Sequence, residues 1–130
     1  MPVFYKKKMN IHTHLCKNSE TIVSPESIKQ VFQEVINNAA EAIETSGIIS
    51  VSSTNENKCM TICINDTGRG ILPEHLSQVF EPYQSFNPKK SRGIGLFIAK
   101  KIIEDHNGTI KIESTYSQGT SVIITLPEHS

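Results

Sequence analysis

Two glycine-containing segments and one polar helix row hold the side chains that could do chemistry. Asp66 follows an alternating apolar run, and Gly68 and Gly70 come within the next four residues. Glycine lets the backbone turn sharply and leaves room for a flat ring, so the Asp66 carboxylate could accept a hydrogen bond from the exocyclic amine of adenine. Gly93-Ile94-Gly95-Leu96 opens an apolar helical pattern, where free backbone N–H groups could face phosphate oxygens. Taken alone, the Asp66 segment is equally typical of a hairpin turn.

Glu34 and Asn38 are four residues apart within an apolar helical pattern, and Glu41 continues their row. Mg²⁺ that is already bound to a polyphosphate needs few protein ligands, and the amide oxygen of Asn38 could add one without further charge. Glu34 could orient or deprotonate an attacking hydroxyl or water near the terminal phosphate. A solvated helix flank is the alternative for an isolated Glu-x-x-x-Asn pair.

Helical periodicity predicts the elements that position these side chains. Ser24-Pro25-Glu26 is typical of a helix start, and apolar residues then recur at three- and four-residue steps up to a stop at Gly47. A short helix is expected from about Pro73 to Val79. A second long helix is expected from Ile94 to His106, closed by Asn107-Gly108 in a left-handed cap.

Alternating apolar residues predict the strands of a single domain that covers residues 1–130. The expected strands are Met9 to Leu15, Ile48 to Thr54, Cys59 to Asn65, Thr109 to Tyr116 and Thr120 to Leu126, with hairpin connections at Asn55-Glu56-Asn57 and Ser117-Gln118-Gly119. This order predicts an α/β (α+β) two-layer sandwich, in which helices cover one face of a mixed, mostly antiparallel sheet.

A polar run from Gln84 to Arg92 follows Pro82 and predicts a mobile loop of about ten residues. Lys89, Lys90 and Arg92 lie in this loop just before the second glycine segment. Their charges could fold over phosphate groups, although each of them could equally be solvated.

Composition limits the classes of partner. The chain has 130 residues, with 13 lysines and arginines and 13 acidic residues, so no net charge draws it to nucleic acid or to a membrane surface. Three cysteines without a C-x-x-C spacing indicate a reducing cytosol rather than disulfides or a zinc site. No apolar stretch approaches the roughly 18 residues that span a bilayer. We expect a cytoplasmic location, either as a separate protein or as the cytoplasmic module of a membrane-anchored sensor.

Five ordered motifs carry a resemblance to a known family. The chain resembles the catalytic, ATP-binding domain of sensor histidine kinases, within the wider family of DNA gyrase, Hsp90, histidine kinases and MutL. The motifs are Glu34–Ala42 for the N box, Asp66–Gly70 for the first glycine box, Val79–Tyr83 for the F box, Gly93–Leu96 for the second glycine box, and Gly119-Thr120 near the C-terminal end.

The resemblance implies a Bergerat fold that binds ATP with Mg²⁺. By position, Asp66 would receive the adenine amine, Asn38 would bind the metal, and Thr120 would support the adenine side through water. The candidate catalytic residues are Asn38 and Glu34, of which Glu34 would be an accessory in transfer to a histidine. Residues 84–92 would form the ATP lid. The residues implied to contact the nucleotide are Asn38, Glu41, Ala42, Asp66, Gly68, Gly70, Ile71, Phe80, Tyr83, Lys89, Lys90, Arg92, Gly93, Ile94, Gly95, Leu96 and Thr120.

The sequence departs from the family pattern in three ways. Ser91-Arg92 replaces a further glycine pair ahead of Gly93, Glu34 replaces an asparagine common in histidine kinases, and Glu41 replaces a basic residue. A glutamate at the position of Glu34 is similar to gyrase-like ATPases and to the serine kinases that resemble anti-sigma factors.

The phosphoacceptor is expected on another domain. None of the five histidines begins a His-Glu segment on an amphipathic helix: these are His12, His14, His75, His106 and His129. The resemblance implies transfer of the γ-phosphoryl group to a histidine on a separate dimerisation domain, with a response regulator downstream and this domain monomeric in isolation. The alternatives are a protein-serine kinase that uses Glu34 as its base, or a module that binds nucleotide only as a switch.

Overall fold

The computed structural model describes residues 8–14, 25–56, 58–81 and 95–127. In chain order the elements are β1 (Lys8–His14), α1 (Pro25–Ala42), β2 (Ser46–Glu56), β3 (Cys59–Asp66), α2 (Pro73–Leu76), α3 (Gly95–Asp105), β4 (Thr109–Thr115) and β5 (Gly119–Pro127). The predicted lid, residues 84–92, lies outside the described residues, as do the predicted N-cap Ser24 and the N-terminal glycine of the second glycine box, Gly93.

The strands form one five-stranded sheet in the order β1-β2-β3-β5-β4. β1 pairs with β2 in parallel, whereas the β2–β3, β3–β5 and β4–β5 pairs are all antiparallel. β5 therefore lies between β3 and β4, although β4 precedes it in the chain. The predicted mixed, mostly antiparallel sheet is confirmed.

On the helix-covered face of the sheet, residues paired across β2, β3, β5 and β4 form rows perpendicular to the strands, which we call rungs. Two rungs are almost entirely apolar: Val51, Ile64, Val122 and Ile112 form one, and Ser53, Ile62, Ile124 and Ile110 form the other. The next rung, at the end of β3, consists of Ile49, Asp66, Thr120 and Ser114. We call this last set the terminal rung. Three of its four side chains are polar, whereas the other two rungs together contain only Ser53.

Two helices cover the apolar rungs. α1 buries Val31, Val35 and Ala39 at helical spacing, and α3 buries Ala99 and Ile103 completely. A fully buried valine or isoleucine of this set contributes about 1.5–3 kcal/mol through removal of apolar surface from water, and the smaller alanines contribute less. The core therefore fixes both helices on one face of the sheet, as predicted, and sets their position relative to the terminal rung.

α1 ends earlier than its sequence pattern predicts. The helix stops at Ala42, and Gly47 belongs to β2, where it pairs with Met9. The reason is a tertiary contact, because the backbone N–H of Arg69 donates to the Ala42 carbonyl at 2.9 Å. A distant loop thus satisfies a carbonyl that the helix leaves open at its end.

Other element boundaries also moved. Asn55 and Glu56 belong to β2, where they pair with Met60 and Cys59, so the hairpin connection is shorter than predicted and Lys58 takes a positive φ of 61°. α2 is likewise shorter than predicted. The left-handed cap of α3 is confirmed, since Asn107 has φ 62° and the Gly108 N–H donates to the Ile103 carbonyl at 2.9 Å.

Candidate functional site

Asp66 lies at the end of β3 on the helix-covered face, in the terminal rung. The backbone N–H of Gly68 donates to its carboxylate at 2.8 Å. Burial raises the pKa of Asp66 above its ordinary value of 3.8, against the opposing effects of the backbone N–H groups of Gly68 and Thr120 and of the Arg69 charge. The site therefore holds a half-buried carboxylate in a fixed orientation, at a cost in solvation.

The loop that follows Asp66 is seated on the end of α1. A Cβ atom at Gly68 would lie 2.6 Å from the Ala42 carbonyl oxygen, so only glycine fits there without movement of the backbone. Nη1 of Arg69 donates to the Glu41 carbonyl at 3.1 Å, beside the bond from the Arg69 N–H to Ala42. These contacts fix the Asp66 loop against the C-terminal end of the predicted N box.

The same loop is held from its other side. The backbone N–H of Ile48 donates to Oγ1 of Thr67 at 2.9 Å, and the Thr67 N–H donates to the Ile48 carbonyl at 3.1 Å. The N–H of Ser117, in the β4–β5 connection, donates to the Arg69 carbonyl at 2.6 Å. Gly70 has φ 73°, a conformation that side chains rarely adopt. The loop is therefore a rigid wall beside Asp66.

Ser114 joins three segments at the terminal rung. Its Oγ accepts from the backbone N–H of Ile71 at 2.8 Å and donates to the Gly119 carbonyl at 3.0 Å. The same Oγ lies 2.9 Å from Oγ1 of Thr120, whose side chain is only 5% exposed. Thr120 lies directly opposite Asp66 on β5. The polar end of the sheet is thus an ordered network.

Glu34 faces the beginning of α3. A Cβ atom at Gly95 would lie 2.7 Å from Oε2 of Glu34, so the carboxylate occupies the space that a side chain would take. Asn38 lies one turn further along α1 and is half-buried. The structure therefore brings the predicted acid next to the first residue of the helix where phosphate contacts are expected.

Aromatic and apolar members of the predicted set lie nearer the core. Phe80 packs against the core, and the ammonium of Lys100 on α3 lies 5.1 Å from the centre of its ring. Leu96 is buried, and Ile71 is partly buried against the same core. Contacts from Leu96 and Ile71 to a nucleotide remain predictions. Six predicted contact residues lie outside the described residues: Tyr83, Lys89, Lys90, Arg92, Gly93 and Ile94.

Arg69 lies within the first glycine box, but its contact with α1 was not predicted, and Ser114 belongs to none of the motifs. Ser114 carried a signal, because it alternates with Ile110 and Ile112 and so takes a core-facing position in β4. A hydroxyl at such a position must find buried hydrogen-bond partners. Arg69 carried no comparable signal, since its partner Glu41 is 28 residues away along the chain.

Neither long helix meets the length and apolarity needed to cross a membrane, and this holds for every helix in the part of the chain that the structure describes.

Known proteins share both the sequence and the fold. Sensor protein SrrB of Staphylococcus aureus is 34% identical over 125 residues, covering 92% of this chain and 21% of SrrB, so the chain spans about a fifth of this relative. The catalytic domain of histidine kinase ThkA, nucleotide-free, superposes with a TM-score of 0.81 at 26% identity, covering 92% of this chain and 79% of that one.

Full-length ShkA in complex with AMPPNP shares the fold, with a TM-score of 0.82 at 20% identity over 97% of this chain and 27% of ShkA. The model of one family matches residues 23–130, which is most of the sequence. The resemblance inferred from the motifs is confirmed. The chain belongs to the histidine kinase-, DNA gyrase B- and HSP90-like ATPase family.

Proposed function

We propose that this chain binds Mg-ATP and serves as the catalytic domain that passes the γ-phosphoryl group to a histidine on a separate dimerisation domain, with a response regulator downstream. The observation that carries the proposal is the Asp66 carboxylate, held in the terminal rung beside a glycine-walled loop. The kinship with SrrB over 92% of the chain supports the same role. The domain is proposed to be monomeric in isolation and to contact neither nucleic acid nor membrane.

The residues around Asp66 fit an adenine ring. The carboxylate accepts hydrogen bonds strongly, and the adenine amine is a donor. Gly68 lets the backbone of the Asp66 loop lie directly against the end of α1. Thr120 adds a second buried oxygen directly across the strand pair. A structure of the same fold, that of ShkA, was solved with the ATP analogue AMPPNP.

The residues along α1 fit the metal and the phosphates. Asn38 offers a neutral amide oxygen, which is the ligand type that Mg²⁺ accepts beside phosphate oxygens. The bound ion would offset the charge of the phosphates during transfer. Gly95 begins α3, so its backbone and those of the neighbouring residues can approach an anion closely. Lys89, Lys90 and Arg92 are proposed to add positive charge from the lid.

The protein groups contribute mainly by positioning. A neutral imidazole is already a nucleophile, so histidine phosphorylation does not require a strong base in this chain. Asp66 and Thr120 would orient the base, Asn38 would hold the metal end, and the docked acceptor would supply the attacking nitrogen in line.

One observation favours a second candidate function, a protein-serine kinase. The Glu34 carboxylate lies against Gly95, at the end of α3 where the phosphates are expected. A serine hydroxyl needs a base to become a nucleophile, and Glu34 is the carboxylate placed to act as one. If the chain is instead a histidine kinase domain, Glu34 is an accessory group.

Transfer of label from Mg-[γ-³²P]ATP to purified acceptor proteins separates the two functions. Acid-labile label on a histidine-bearing dimerisation domain supports the proposal, and acid-stable label on a serine protein supports the alternative. Glu34→Gln should abolish the acid-stable label but leave most of the acid-labile label, while Glu44→Gln, at an exposed position beyond the helix, is the matched control. ATP binding without transfer to any acceptor would favour a nucleotide switch. Absence of ATP binding would overturn all three hypotheses, the histidine kinase, the serine kinase and the switch.

A further inference from the structure

The Ser114 hydroxyl makes three polar contacts, and their number fixes the direction of each hydrogen bond. A serine hydroxyl has one proton to give and two lone pairs that can accept. The Gly119 carbonyl can only accept, so the contact of 3.0 Å uses the Ser114 proton. The Ile71 N–H can only donate, so the contact of 2.8 Å uses one lone pair.

One lone pair of Ser114 then remains for Thr120. The distance between the two hydroxyl oxygens is 2.9 Å, and either oxygen could donate. The arrangement that satisfies all three contacts of Ser114 has the Thr120 hydroxyl as the donor, because Ser114 has no second proton. Thr120 thereby donates its only hydroxyl proton to Ser114. Its oxygen keeps two lone pairs and acts only as an acceptor toward anything else that contacts it.

We propose that Ser114 is a positioning residue for base selectivity: by taking the Thr120 proton, it presents the terminal rung to the nucleotide as a pair of acceptors, Asp66 and Thr120. This inference rests on the proposed function. Two acceptors on facing strands favour an amino group at position 6 of a purine, as in adenine. Hypoxanthine carries a carbonyl at that position, and its lone pairs would face those of the protein. Its N1–H is then the single donor on this edge, against the two N–H bonds of the adenine amino group.

ATP and ITP test this proposal, because they differ at the purine 6 position and the adjoining ring nitrogen. Dissociation constants for both nucleotides are measured by calorimetry for the wild type and for Ser114→Ala, at the same pH and Mg²⁺ concentration. The variant frees the Thr120 hydroxyl to turn and donate to the ITP carbonyl. We expect the preference for ATP over ITP to fall by roughly three- to tenfold, mostly through tighter ITP binding.

Two further variants separate selectivity from general damage. Thr109→Val removes a hydroxyl from the exposed end of the same strand and should leave the ATP-to-ITP ratio unchanged. Ser114→Cys replaces the hydroxyl with a somewhat larger thiol, which is a weaker acceptor, and it should give an intermediate ratio even if the alanine variant does not fold. Amide exchange of Ile71 should accelerate in both Ser114 variants, because its acceptor is lost or weakened.

The outcomes are distinguishable from failure of the proposed function. If the wild type binds neither nucleotide, ATP binding itself is wrong. If the wild type prefers ATP and every folded Ser114 variant keeps the same ratio, the role of Ser114 is wrong while ATP binding stands.

Discussion

The half-buried Asp66 carboxylate lowers the stability of the folded protein once it is ionised. Burial is the largest influence on its pKa and raises it, so the folded protein holds the proton more tightly than the unfolded chain does. The free energy of unfolding therefore decreases as pH rises from the ordinary value of 3.8 through the raised folded pKa, and the cost is fully present above it. Such a carboxylate is better explained by a ligand than by stability.

The first prediction concerns the pH dependence of ATP binding. Because the ionised carboxylate is the stronger acceptor, ATP affinity should fall as pH decreases through the raised pKa of Asp66, at a higher pH than an ordinary aspartate would cause. Asp66→Asn should weaken binding by about 1–3 kcal/mol at neutral pH and flatten the profile in this range. Calorimetric titrations from mildly acidic to neutral pH measure both effects.

Asp105→Asn provides the control for the first prediction, since Asp105 is an exposed residue at the end of α3. This variant should keep both the affinity and the pH profile of the wild type. The assignment of Asp66 would fail if Asp66→Asn bound ATP as tightly as the control and if its ATP affinity still fell at acidic pH.

The second prediction concerns the metal. Asn38→Ala should lose most of the gain in ATP affinity that Mg²⁺ provides, by roughly tenfold or more, while metal-free ATP binding and the fold are retained. Its neighbour Asn37 is also half-buried on α1, and Asn37→Ala is the matched control. Titrations of ATP with Mg²⁺ and with EDTA give the two affinities. Equal dependence on Mg²⁺ in the two variants would remove Asn38 from the metal site.

At the scale of elements, two glycines lie against neighbours that differ in how easily they can move. Gly68 abuts the backbone of Ala42, which cannot move without shifting the end of α1. Among the described residues, the closest neighbour of a Cβ atom at Gly95 would be the carboxylate of Glu34, the far end of a flexible side chain. The same added methyl group should therefore have different consequences at the two positions.

The third prediction follows from that contrast. Gly68→Ala should lower the stability by about 1–3 kcal/mol, because the Asp66 loop must move away from α1, and it should weaken ATP binding as well. Gly95→Ala should stay within about 1 kcal/mol of the wild type, since Glu34 can rotate and alanine suits a helix better than glycine. Urea unfolding followed by circular dichroism measures both. Equal losses would show that the loop is not rigidly seated on α1.

The elements also show which features the sequence could predict. The spacing of Val31, Val35 and Ala39 required a helix because burial follows the helical period, and the strands of the sheet were recognised by their alternation. The end of α1 was misplaced because its cap comes from Arg69, and no local pattern reports a partner so distant. The motifs located Asp66, Asn38 and Glu34 in sequence. The hydrogen bonds of Ser114 and their directions could be assigned only from strand register and distances.

At the scale of the whole molecule, the candidate site spans the sandwich from sheet to helices. Asp66 and Thr120 belong to the two central strands of the antiparallel part, and Asn38 belongs to α1, which the core fixes over the same face. A ligand that contacts all three would bind only when the sheet and helix layers are assembled. Binding free energy should then appear as stability of the entire domain.

The last prediction measures that linkage. Mg-ATP at 100 times its dissociation constant should stabilise the wild type by about 2.7 kcal/mol, which for a domain of this size raises Tm by on the order of 10 °C. In Asp66→Asn at the same ATP concentration, the stabilisation should be smaller by nearly the free energy that calorimetry assigns to the weaker binding. Amides of α1 and of β5 should gain equal protection from exchange, because neither layer retains the site without the other. If ATP raised the Tm of both proteins equally, the nucleotide would bind away from the terminal rung, and protection confined to α1 would place it on the helix surface.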